Sequence, residues 1–549
     1  MRQSVLRPGF ARRLFTLTAV GASLALAACN GGGDDADTGL VKTLSLQQIG
    51  RYDGAAQGAA EITAFDAASK RLFVVNGAAG TVDVLDLADP SAPKLLGTLN
   101  VSAYGATVNS VAVHDGLVAL AVEANPKTNP GTVAFYNAAD LKLLHTVTVG
   151  AQPDMLTFTP DGQYVLAALE GEPNSYGQAD SVDPEGGVAI VKVNRGGTPT
   201  LATADFKAWI GKEAELRAAG VRIYGPGANA AQDLEPEYIA ISEDSKTAYV
   251  TLQENNAVAV VDIATAKVTS VKGLGTKDHS LAGMGLDASD EDAGTNTNSG
   301  TAAVKISTYP VKGMYQPDAI ARYSVGGQTY LITANEGEAR SDWPGFNDET
   351  RVRTHCTAGL DPAVFSNAAN LIFDSNLGRL RITTSPDGAN TGKNAAGQCT
   401  ELYSFGARSF TIWNTSLQRV YDSGDEFEQL TRALPNVLFN ASHDNNTLDG
   451  RSTSKGPEPE GVVVGQFGSR HIAFIGLERV GGVMVYDVTN PQQPTYLTYF
   501  NQRSAATGDR GPEGLTLIPA DKSPNGKPLL VIGHEVSGTT TIVQINLGF

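Results

Sequence analysis

Carboxylates recur in pairs along this chain of 549 residues, and each pair flanks a predicted β-hairpin. In each unit a first short strand starts at an acidic or polar residue, and a second strand ends at another. The two positions should lie close together, because the start of one strand and the end of the next meet at the same end of a hairpin. The first members are Glu61, Asp154, Glu237, Asp318, Glu460 and Glu513, with Ser110 in the second unit. The second members are Glu123, Glu170, Glu254, Glu336, Glu478 and Glu535, with Asn76 in the first unit.

Carboxylates crowded around one axis repel each other unless cations or protons intervene. Flexible, oxygen-rich clusters suit Ca²⁺ or another hard divalent cation. The first two units lack a full acidic pair, so we expect the metal ligands in the later five units. These expected ligands are Asp154, Glu170, Glu237, Glu254, Asp318, Glu336, Glu460, Glu478, Glu513 and Glu535. The alternative stays open that these side chains accept loop N–H groups or line a hydrated channel.

Three basic or titratable residues near the acids are candidate catalytic groups. Arg340 and Arg479 could hold a phosphate with two hydrogen bonds each, although pairing with neighbouring carboxylates is the alternative. His534 precedes Glu535 and could be a ligand or a general acid, or a solvated turn residue. His443, in a Ser-His-Asp sequence, is the other histidine of note. The sequence has no zinc-protease pattern, nucleophile elbow, Walker loop or dinucleotide fingerprint after a strand.

The elements that carry the acids are short strands rich in apolar and β-branched residues. Residues 154–158, a turn at 160–162 and residues 164–169 form one copy of a recurring hairpin. Seven units begin near Glu61, Ser110, Asp154, Glu237, Asp318, Glu460 and Glu513. The first units are spaced at about 45 residues, which is typical of propeller blades. We therefore predict an all-β, seven-bladed β-propeller of the WD40/YVTN-like kind, in which residues 43–52 complete the last blade.

Three insertions interrupt the repeat, at about residues 205–230, 273–312 and 339–405. The first is predicted to contain a helix from Asp205, as N-cap, to Gly220, with a packing face of Phe206, Trp209, Ile210 and Leu216. The segment from Leu286 to Gly300 is acidic and is expected to be a loop. The last insertion has little evident core, and an oxidising compartment would allow Cys356 and Cys399 to form a disulfide there.

The N-terminal residues predict export and lipid attachment. Residues 1–28 combine a basic head with a 15-residue apolar stretch, Leu14–Ala28, that is too short to span a bilayer. Leu26-Ala27-Ala28-Cys29 resembles a bacterial lipoprotein cleavage box, with Cys29 as the lipidated residue; a plain signal peptide is the alternative. Residues 29–42 would be an acidic, flexible tether to a single domain of residues 43–549. We expect a protein held by lipid in the bacterial cell envelope, at the outer membrane.

The net charge argues against one class of partner. The chain has 58 acidic and 41 basic residues, for a net charge of -17. Binding to a phosphate backbone is therefore disfavoured, and nucleic acid is not an expected partner. We expect a monomer whose partners are the membrane, through the lipid anchor, and a phosphoester or another surface ligand.

Several longer motifs resemble the choice-of-anchor I domain family, which is related to mesenchyme-specific cell surface glycoproteins. They include residues 313–320 (GMYQPDAI), 334–340 (ANEGEAR), 455–462 (KGPEPEGV), 476–479 (GLER), 511–514 (GPEG) and 535–539 (EVSGT). The resemblance covers residues 43–549 and implies a propeller attached to a surface. Some members carry an alkaline-phosphatase label. His534 departs from the family pattern, in which an asparagine is expected before the final motif.

Two functions follow as hypotheses. The first is a divalent-metal-dependent phosphoesterase, alkaline-phosphatase-like, at the acidic mouth of the channel, where cations bridge the phosphate and activate water. The alternative is a non-catalytic, calcium-stabilised binding or adhesion module at the cell surface. The density of unpaired acids favours the first, and the lack of a recognisable nucleophile favours the second.

Overall fold

The computed structural model describes residues 43–341, 343–504 and 507–548. The predicted leader, Cys29 and the tether lie outside these residues. Within them, no helix has the length and apolar character needed to cross a membrane.

Strands dominate the described chain. In chain order they are β1 (Thr43–Asp53), β2 (Thr63–Asp66), β3 (Arg71–Asn76), β4 (Thr81–Asp86), β5 (Lys94–Asn100), β6 (Thr107–His114), β7 (Leu117–Glu123), β8 (Pro130–Asn137), β9 (Leu143–Ala151), β10 (Pro153–Phe158), β11 (Tyr164–Leu169), β12 (Gly187–Lys192), β13 (Thr200–Asp205), β14 (Ile239–Ile241), β15 (Thr247–Leu252), β16 (Ala257–Asp262), β17 (Lys267–Gly273), β18 (Thr276–Asp278), β19 (Lys312–Met314), β20 (Ile320–Val325), β21 (Gln328–Asn335), β22 (Glu349–Arg351), β23 (Arg381–Thr383), β24 (Tyr403–Ser404), β25 (Ser409–Asn414), β26 (Arg419–Asp422), β27 (Pro459–Phe467), β28 (Arg470–Leu477), β29 (Val483–Asp487), β30 (Thr495–Phe500), β31 (Pro512–Ile518), β32 (Leu529–His534) and β33 (Thr539–Gly548). The short helices are α1 (Glu213–Ala218), α2 (Ala230–Asp233), α3 (Val352–His355), α4 (Ala368–Leu371) and α5 (Glu426–Ala433).

Most of these strands form four-stranded antiparallel sheets. The sheets are β2–β5, β6–β9, β10–β13, β14–β17, β20-β21-β25-β26, β27–β30 and β31-β32-β33-β1. Their first strands contact one another in a closed cycle, in the order β2, β6, β10, β14, β20, β27, β31 and back to β2. This arrangement surrounds a central axis with the innermost strands. The all-β propeller class predicted from the repeat is confirmed.

Strand β11 illustrates why the sequence forms stacked sheets. Leu166 and Ala168 belong to one buried cluster with Val250 of the following sheet. Val165 and Ala167 alternate with them and belong to a different cluster, shared with the preceding sheet. Because side chains alternate between the two faces of a strand, an unbroken apolar run is buried on both sides.

The ring is closed by segments from opposite ends of the described chain. β1 pairs antiparallel with β33, from Thr43 opposite Gly548 to Asp53 opposite Thr539. This is the pairing expected of residues 43–52. It removes the free edge that β33 would otherwise expose.

The insertions form a five-stranded sheet of their own, in the order β18-β19-β24-β23-β22. A buried cluster that includes Leu286, Val352, Phe365 and Leu380 packs beside it. The expectation of little core in this region was wrong, because its apolar residues are spaced irregularly and show no strand or helix period. The cluster also contains a Cys356–Cys399 disulfide, with 5.6 Å between the two Cα atoms.

The helix expected from Asp205 to Gly220 is not continuous. Asp205 ends strand β13, a 3₁₀ turn covers Lys207–Trp209, and α1 starts only at Glu213. Gly211 has φ +82° between the two, a conformation that breaks an α-helix. Phe206 and Leu216 are buried as expected, whereas Ile210 is exposed.

Candidate functional site

The acidic pairs are positioned by a repeated hairpin geometry. In three sheets the proline before the first acid pairs with the residue before the second acid. The pairs are Pro153 with Leu169, Pro459 with Leu477 and Pro512 with His534. The N–H groups of Glu170, Glu478 and Glu535 donate to the carbonyls of Gln152, Glu458 and Gly511, at 3.0, 2.8 and 2.8 Å. Equivalent hydrogen bonds therefore place these pairs at equivalent points of their sheets.

A bend before four of the five Pro-acid dipeptides contributes to this geometry. The preceding residue has a left-handed backbone at Gln152 (φ 48°), Gln316 (φ 40°), Glu458 (φ 53°) and Gly511 (φ 66°). The strand register also shifts directly after Pro153, Pro459 and Pro512, as it does at a β-bulge. Bulges redirect side chains and are common beside functional sites. The Pro-acid dipeptides thus turn their carboxylates away from the regular ladder.

Electrostatic interactions show that the acids of different sheets converge. Burial, and then the charges of Glu535 and Asp154, raise the pKa of Glu61 to about 8. Burial, and then Asp318 and Glu535, raise the pKa of Glu513 well above its usual range. The interactions of Glu61 with Asp154 and of Glu513 with Asp318 join side chains from sheets that are not neighbours in the ring. The acidic mouth, defined as the two sets of paired acids together with Glu172, Glu338 and Glu458, is therefore a single electrostatic unit.

Glu170, Glu172 and Glu254 form the first subsite of the mouth. One oxygen of each lies within 4.8 Å of the others. Gln152 Nε2 donates to Glu170 at 2.5 Å and to Glu172 at 2.7 Å, and the Lys127 ammonium pairs with Glu172. Glu254 is 3% exposed, and its Oε2 has no hydrogen-bond donor among the described residues. The subsite is therefore only partly neutralised.

His443, Glu478 and Glu535 form the second subsite, with ligand atoms again within 4.8 Å of one another. His443 Nδ1 lies 2.8 Å from Glu478 Oε1. Arg479 Nε lies 3.0 Å from the other oxygen of Glu478, and its guanidinium also contacts the His443 ring. The side chain of Arg479 is 20% exposed, so solvent reaches this side of the mouth.

A third acidic group, Glu336, Glu458 and Glu478, is already occupied by protein cations. Lys455 Nζ lies 2.5 Å from Glu336 and 3.2 Å from Glu458. Burial would raise the pKa of Glu458, but Lys455, Arg451 and Arg479 together hold it below its usual range. An ammonium thus takes the place that a metal ion would need, and this group is an ion-pair network.

The expected ligands consequently have different surroundings. Glu237, Glu254 and Glu460 each have a buried Oε2 without a hydrogen-bond donor among the described residues. Burial, and then the charges of Glu254 and Glu170, raise the pKa of Glu237 well above its usual range. Burial, and then Glu172 and Glu123, raise the pKa of Asp154 to about 7. Oxygen atoms that are buried, crowded and without donors are those that a cation would stabilise most.

Arg340 has the ion-pair role that was the alternative to phosphate binding. Its side chain is 3% exposed, and its guanidinium pairs with Asp233 and, at 2.6 Å, with Glu235. It also stacks over the ring of Tyr224 at 4.5 Å. These contacts engage the whole guanidinium, which leaves Arg479 as the more accessible of the two arginines.

His534 does not join the carboxylates in the way that its position before Glu535 suggested. Strand alternation turns the two side chains to different faces, and His534 Nε2 lies 4.0 Å from Asp509. Burial lowers the pKa of His534 to about 4, so the ring is neutral at physiological pH. His443 is the histidine that contacts the acids of the mouth. It lies on an irregular loop whose path no local sequence pattern predicts.

The counter-charges of the mouth were also not predicted. Lys455 and Arg451 precede the Pro-Glu motif at 459–460 on the same loop as His443. Their proximity to that motif is visible in the sequence, but only the folded loop shows which carboxylates they contact.

Two curated proteins resemble parts of this chain. Gigasin-3a from Magallana gigas is 29% identical over 191 residues, which are 31% of this chain and 66% of that protein. The mesenchyme-specific cell surface glycoprotein of Strongylocentrotus purpuratus is 27% identical over 301 residues, 49% of this chain and 36% of that protein. This chain thus covers less than two thirds of the length of either relative.

Among solved structures, the WD40 domain of Toxoplasma gondii coronin is similar to this chain at a TM-score of 0.46 and 8% identity. The alignment covers 93% of this chain and 88% of the coronin chain. A family model described as the choice-of-anchor I domain matches residues 61–491. That match covers most of the chain and includes the acidic pairs as far as Glu460 and Glu478, whereas Glu513 and Glu535 lie beyond it. This surface-type β-propeller domain therefore belongs to the choice-of-anchor I domain family.

Proposed function

We propose that the acidic mouth binds Ca²⁺ or another divalent cation, and that the loaded mouth is a ligand-binding platform of a surface module. The observation that carries this proposal is the set of donor-less, buried oxygens on Glu237, Glu254 and Glu460. A group without hydrogen-bond donors in a low-dielectric site is costly, and a hard cation offsets that cost directly.

The first subsite is the best candidate for the ion. Its three carboxylates come from adjoining sheets and supply only hard oxygen ligands. Ca²⁺ takes six to eight oxygens, so three carboxylates leave coordination positions open for water or for an acidic group of a partner. Binding would thus use the ion as a bridge between two negatively charged surfaces.

The second candidate function is a metal-dependent phosphoesterase at the second subsite. The observation that favours it is the partly exposed Arg479 beside His443, Glu478 and Glu535. A metal held by the acids would polarise a phosphate, and Arg479 would bind its free oxygens. His443 would be positioned to exchange a proton with the attacking water or the leaving group.

Surface attachment is part of the proposal. Lipidation of Cys29, followed by the acidic segment to residue 42, would hold a monomeric propeller at the outer membrane of a bacterial envelope. The name of the Strongylocentrotus relative, a cell surface glycoprotein, supports a surface location. Radiolabelled palmitate incorporated into the native chain but not into a Cys29→Ser variant would test the anchor.

Cation binding is tested by metal analysis and calorimetric Ca²⁺ titration of the purified chain, before and after chelation. Glu254→Gln should lower the Ca²⁺ affinity, because it removes one charge from the first subsite. Glu215→Gln, the same change on an exposed helix position, should bind Ca²⁺ like the native chain. Equal Ca²⁺ affinities for all three proteins would refute binding at this subsite.

Catalysis is tested separately with p-nitrophenyl phosphate. Turnover that disappears on chelation and in Glu460→Gln, Glu513→Gln or Glu535→Gln would establish the phosphoesterase. Cation binding without turnover in the native chain would leave the platform as the function. A turnover that is unchanged in all three variants would belong to a contaminant or to another site.

A further inference from the structure

A second group of acids lies outside the acidic mouth, where an insertion meets a long loop. Asp287 and Asp292 lie on the acidic insertion segment 286–300, and Asp449 lies on the loop between α5 and β27. One carboxylate oxygen of each is within 4.8 Å of the others, and all three side chains are buried. Some 150 residues of chain separate the two segments, so their charges meet only through folding.

Local donors satisfy one side of this cluster. Asp287 accepts from the N–H of Lys305 at 2.5 Å, Asp292 accepts from the N–H of Ala303 at 2.7 Å, and Asp449 accepts from the Ser452 hydroxyl. Two of the remaining carboxylate oxygens lack such partners: Asp292 Oδ2 and Asp449 Oδ2 are buried without a hydrogen-bond donor among the described residues. These two oxygens are the atoms that a ligand would stabilise.

The basic side chains around the cluster are engaged elsewhere. Arg379 pairs with Asp290 and Glu291, and Arg408 pairs with Glu428 at 2.7 Å. Lys305 Nζ donates to the Ser375 carbonyl at 3.3 Å and to Asn376 at 3.1 Å. Within the described ranges, no lysine or arginine forms an ion pair with Asp287, Asp292 or Asp449.

A neutral oxygen beside the cluster also lacks a donor. Asn440 is fully buried, and its amide nitrogen donates to Ser452 Oγ and to Glu428, both at 2.8 Å. Its amide oxygen has no donor among the described residues. The same Ser452 hydroxyl donates to Asp449, so Asn440 adjoins the carboxylates. Carboxylate oxygens with an amide oxygen nearby are the ligand chemistry of Ca²⁺ rather than of Zn²⁺ or copper.

We infer that Asp287, Asp292 and Asp449 hold one Ca²⁺ ion at a structural site distinct from the acidic mouth. The ion fastens the insertion segment 286–300 to the loop at 440–455. That loop also supplies His443, Arg451 and Lys455 to the mouth. Calcium at the structural site therefore sets the position of the mouth's basic groups without entering the mouth itself.

The site is tested on the full chain with Ca²⁺ stoichiometry by equilibrium dialysis and with Tb³⁺ as a luminescent Ca²⁺ substitute. Burial, and then the charges of Asp287 and Asp292, raise the pKa of Tyr309, so its ring lies near these carboxylates. Tyr309 should therefore sensitise the luminescence of Tb³⁺ bound between them. Asp449→Asn should bind one Ca²⁺ fewer than the native chain and should lose the Tyr309-dependent part of the luminescence. Asp290→Asn, whose side chain pairs with Arg379 on the same segment, should keep both properties.

Tyr309→Phe separates the signal from binding. It should lose the same part of the luminescence as Asp449→Asn while it keeps the native Ca²⁺ stoichiometry. The inference is overturned if Asp449→Asn binds as many Ca²⁺ ions as the native chain while both are folded by circular dichroism. If Asp449→Asn does not fold, Asp292→Asn replaces it, because an asparagine there can still accept the Ala303 N–H. A Ca²⁺ count lowered by Glu254→Gln but not by Asp292→Asn would place calcium only in the mouth.

Discussion

Lys455 is the residue whose removal most directly tests the electrostatics of the acidic mouth. Its ammonium lies within 3.2 Å of Glu336, Glu338 and Glu458, in a side chain that is 10% exposed. At an effective dielectric constant of about 20, each such contact contributes roughly 5 kcal/mol of gross Coulomb energy. Desolvation of the charges offsets most of that energy. Removal of one partner from a buried pair nevertheless costs about 3–5 kcal/mol, because the other charges stay buried.

Lys455→Met should therefore lower the free energy of unfolding by about 3–5 kcal/mol at pH 8 in the presence of a chelator. The loss should shrink towards pH 5. Burial raises the pKa of Glu336 to about 7 even though Lys455 lowers it, and loss of Lys455 would raise it further. A carboxyl whose folded-state pKa is raised contributes its stability at low pH and loses it as the pH rises through that pKa. In acid, protonation of the carboxylates would thus neutralise the charge that the Lys455 ammonium balances in the native chain.

Chemical denaturation followed by tryptophan fluorescence measures this difference. Lys246→Met is the matched control, because Lys246 is 76% exposed and, among the described residues, forms an ion pair only with Asp244 at the surface. That change should cost less than about 1 kcal/mol at any pH. A Lys455→Met protein as stable as the control at pH 8, or a loss that does not vary with pH, would refute the account of the mouth as a cluster short of positive charge.

Three further changes address other parts of the protein. Burial lowers the pKa of His279 to about 3, so its stabilising effect is present above pH 6.5 and is lost as the pH falls towards 3. His279→Asn should remove about 3 kcal/mol of acid-induced destabilisation between pH 7 and pH 4, measured by denaturation at both pH values. Gly337→Ala should cost at least about 3 kcal/mol in thermal or chemical unfolding, because a Cβ at φ +97° would lie 2.2 Å from the backbone nitrogen of Gly406. Cys356→Ser with Cys399→Ser should cost about 4 kcal/mol for a loop of 43 residues and should make the insertion more susceptible to limited proteolysis.

For each of these three predictions, one experimental result would contradict the structural reasoning. Equal pH dependence of His279→Asn and the native chain would mean that the histidine is not buried in its neutral form. A native-like Gly337→Ala protein would mean that the loop after Glu336 can move away from Gly406. An insertion that resists protease equally without its cysteines would owe its order to the packing of its buried core alone.

The hairpin register and the convergence of the acids could be predicted because both depend on local alternation. Each Pro-acid dipeptide lies at or just before the start of its first strand, and each second acid follows the end of the next strand. Strand pairing then brings these two carboxylates to the same end of the hairpin. The same reasoning failed for His534, where one residue of strand alternation separates a side chain in the mouth from one that faces Asp509.

Contacts made by irregular segments could not be predicted. His443, Arg451 and Lys455 reach the mouth from a loop without a strand or helix period, and Asp449 on the same loop turns to a different set of acids. These positive side chains follow no repeat, so the strand pattern does not indicate where they lie. The helix expected from Asp205 failed for a related reason, because a single glycine at position 211 redirects the chain between two short turns.

The pairing of β1 with β33 has a consequence for how this protein folds. Segments separated by almost the entire described sequence must find each other before the last sheet is complete, and such long-range contacts form slowly. During that interval the backbone of β33 offers a row of unsatisfied donors and acceptors to any extended chain. A synthetic peptide of residues 43–53 should dock there on a chain that lacks its own copy, so a missing strand could be supplied from outside.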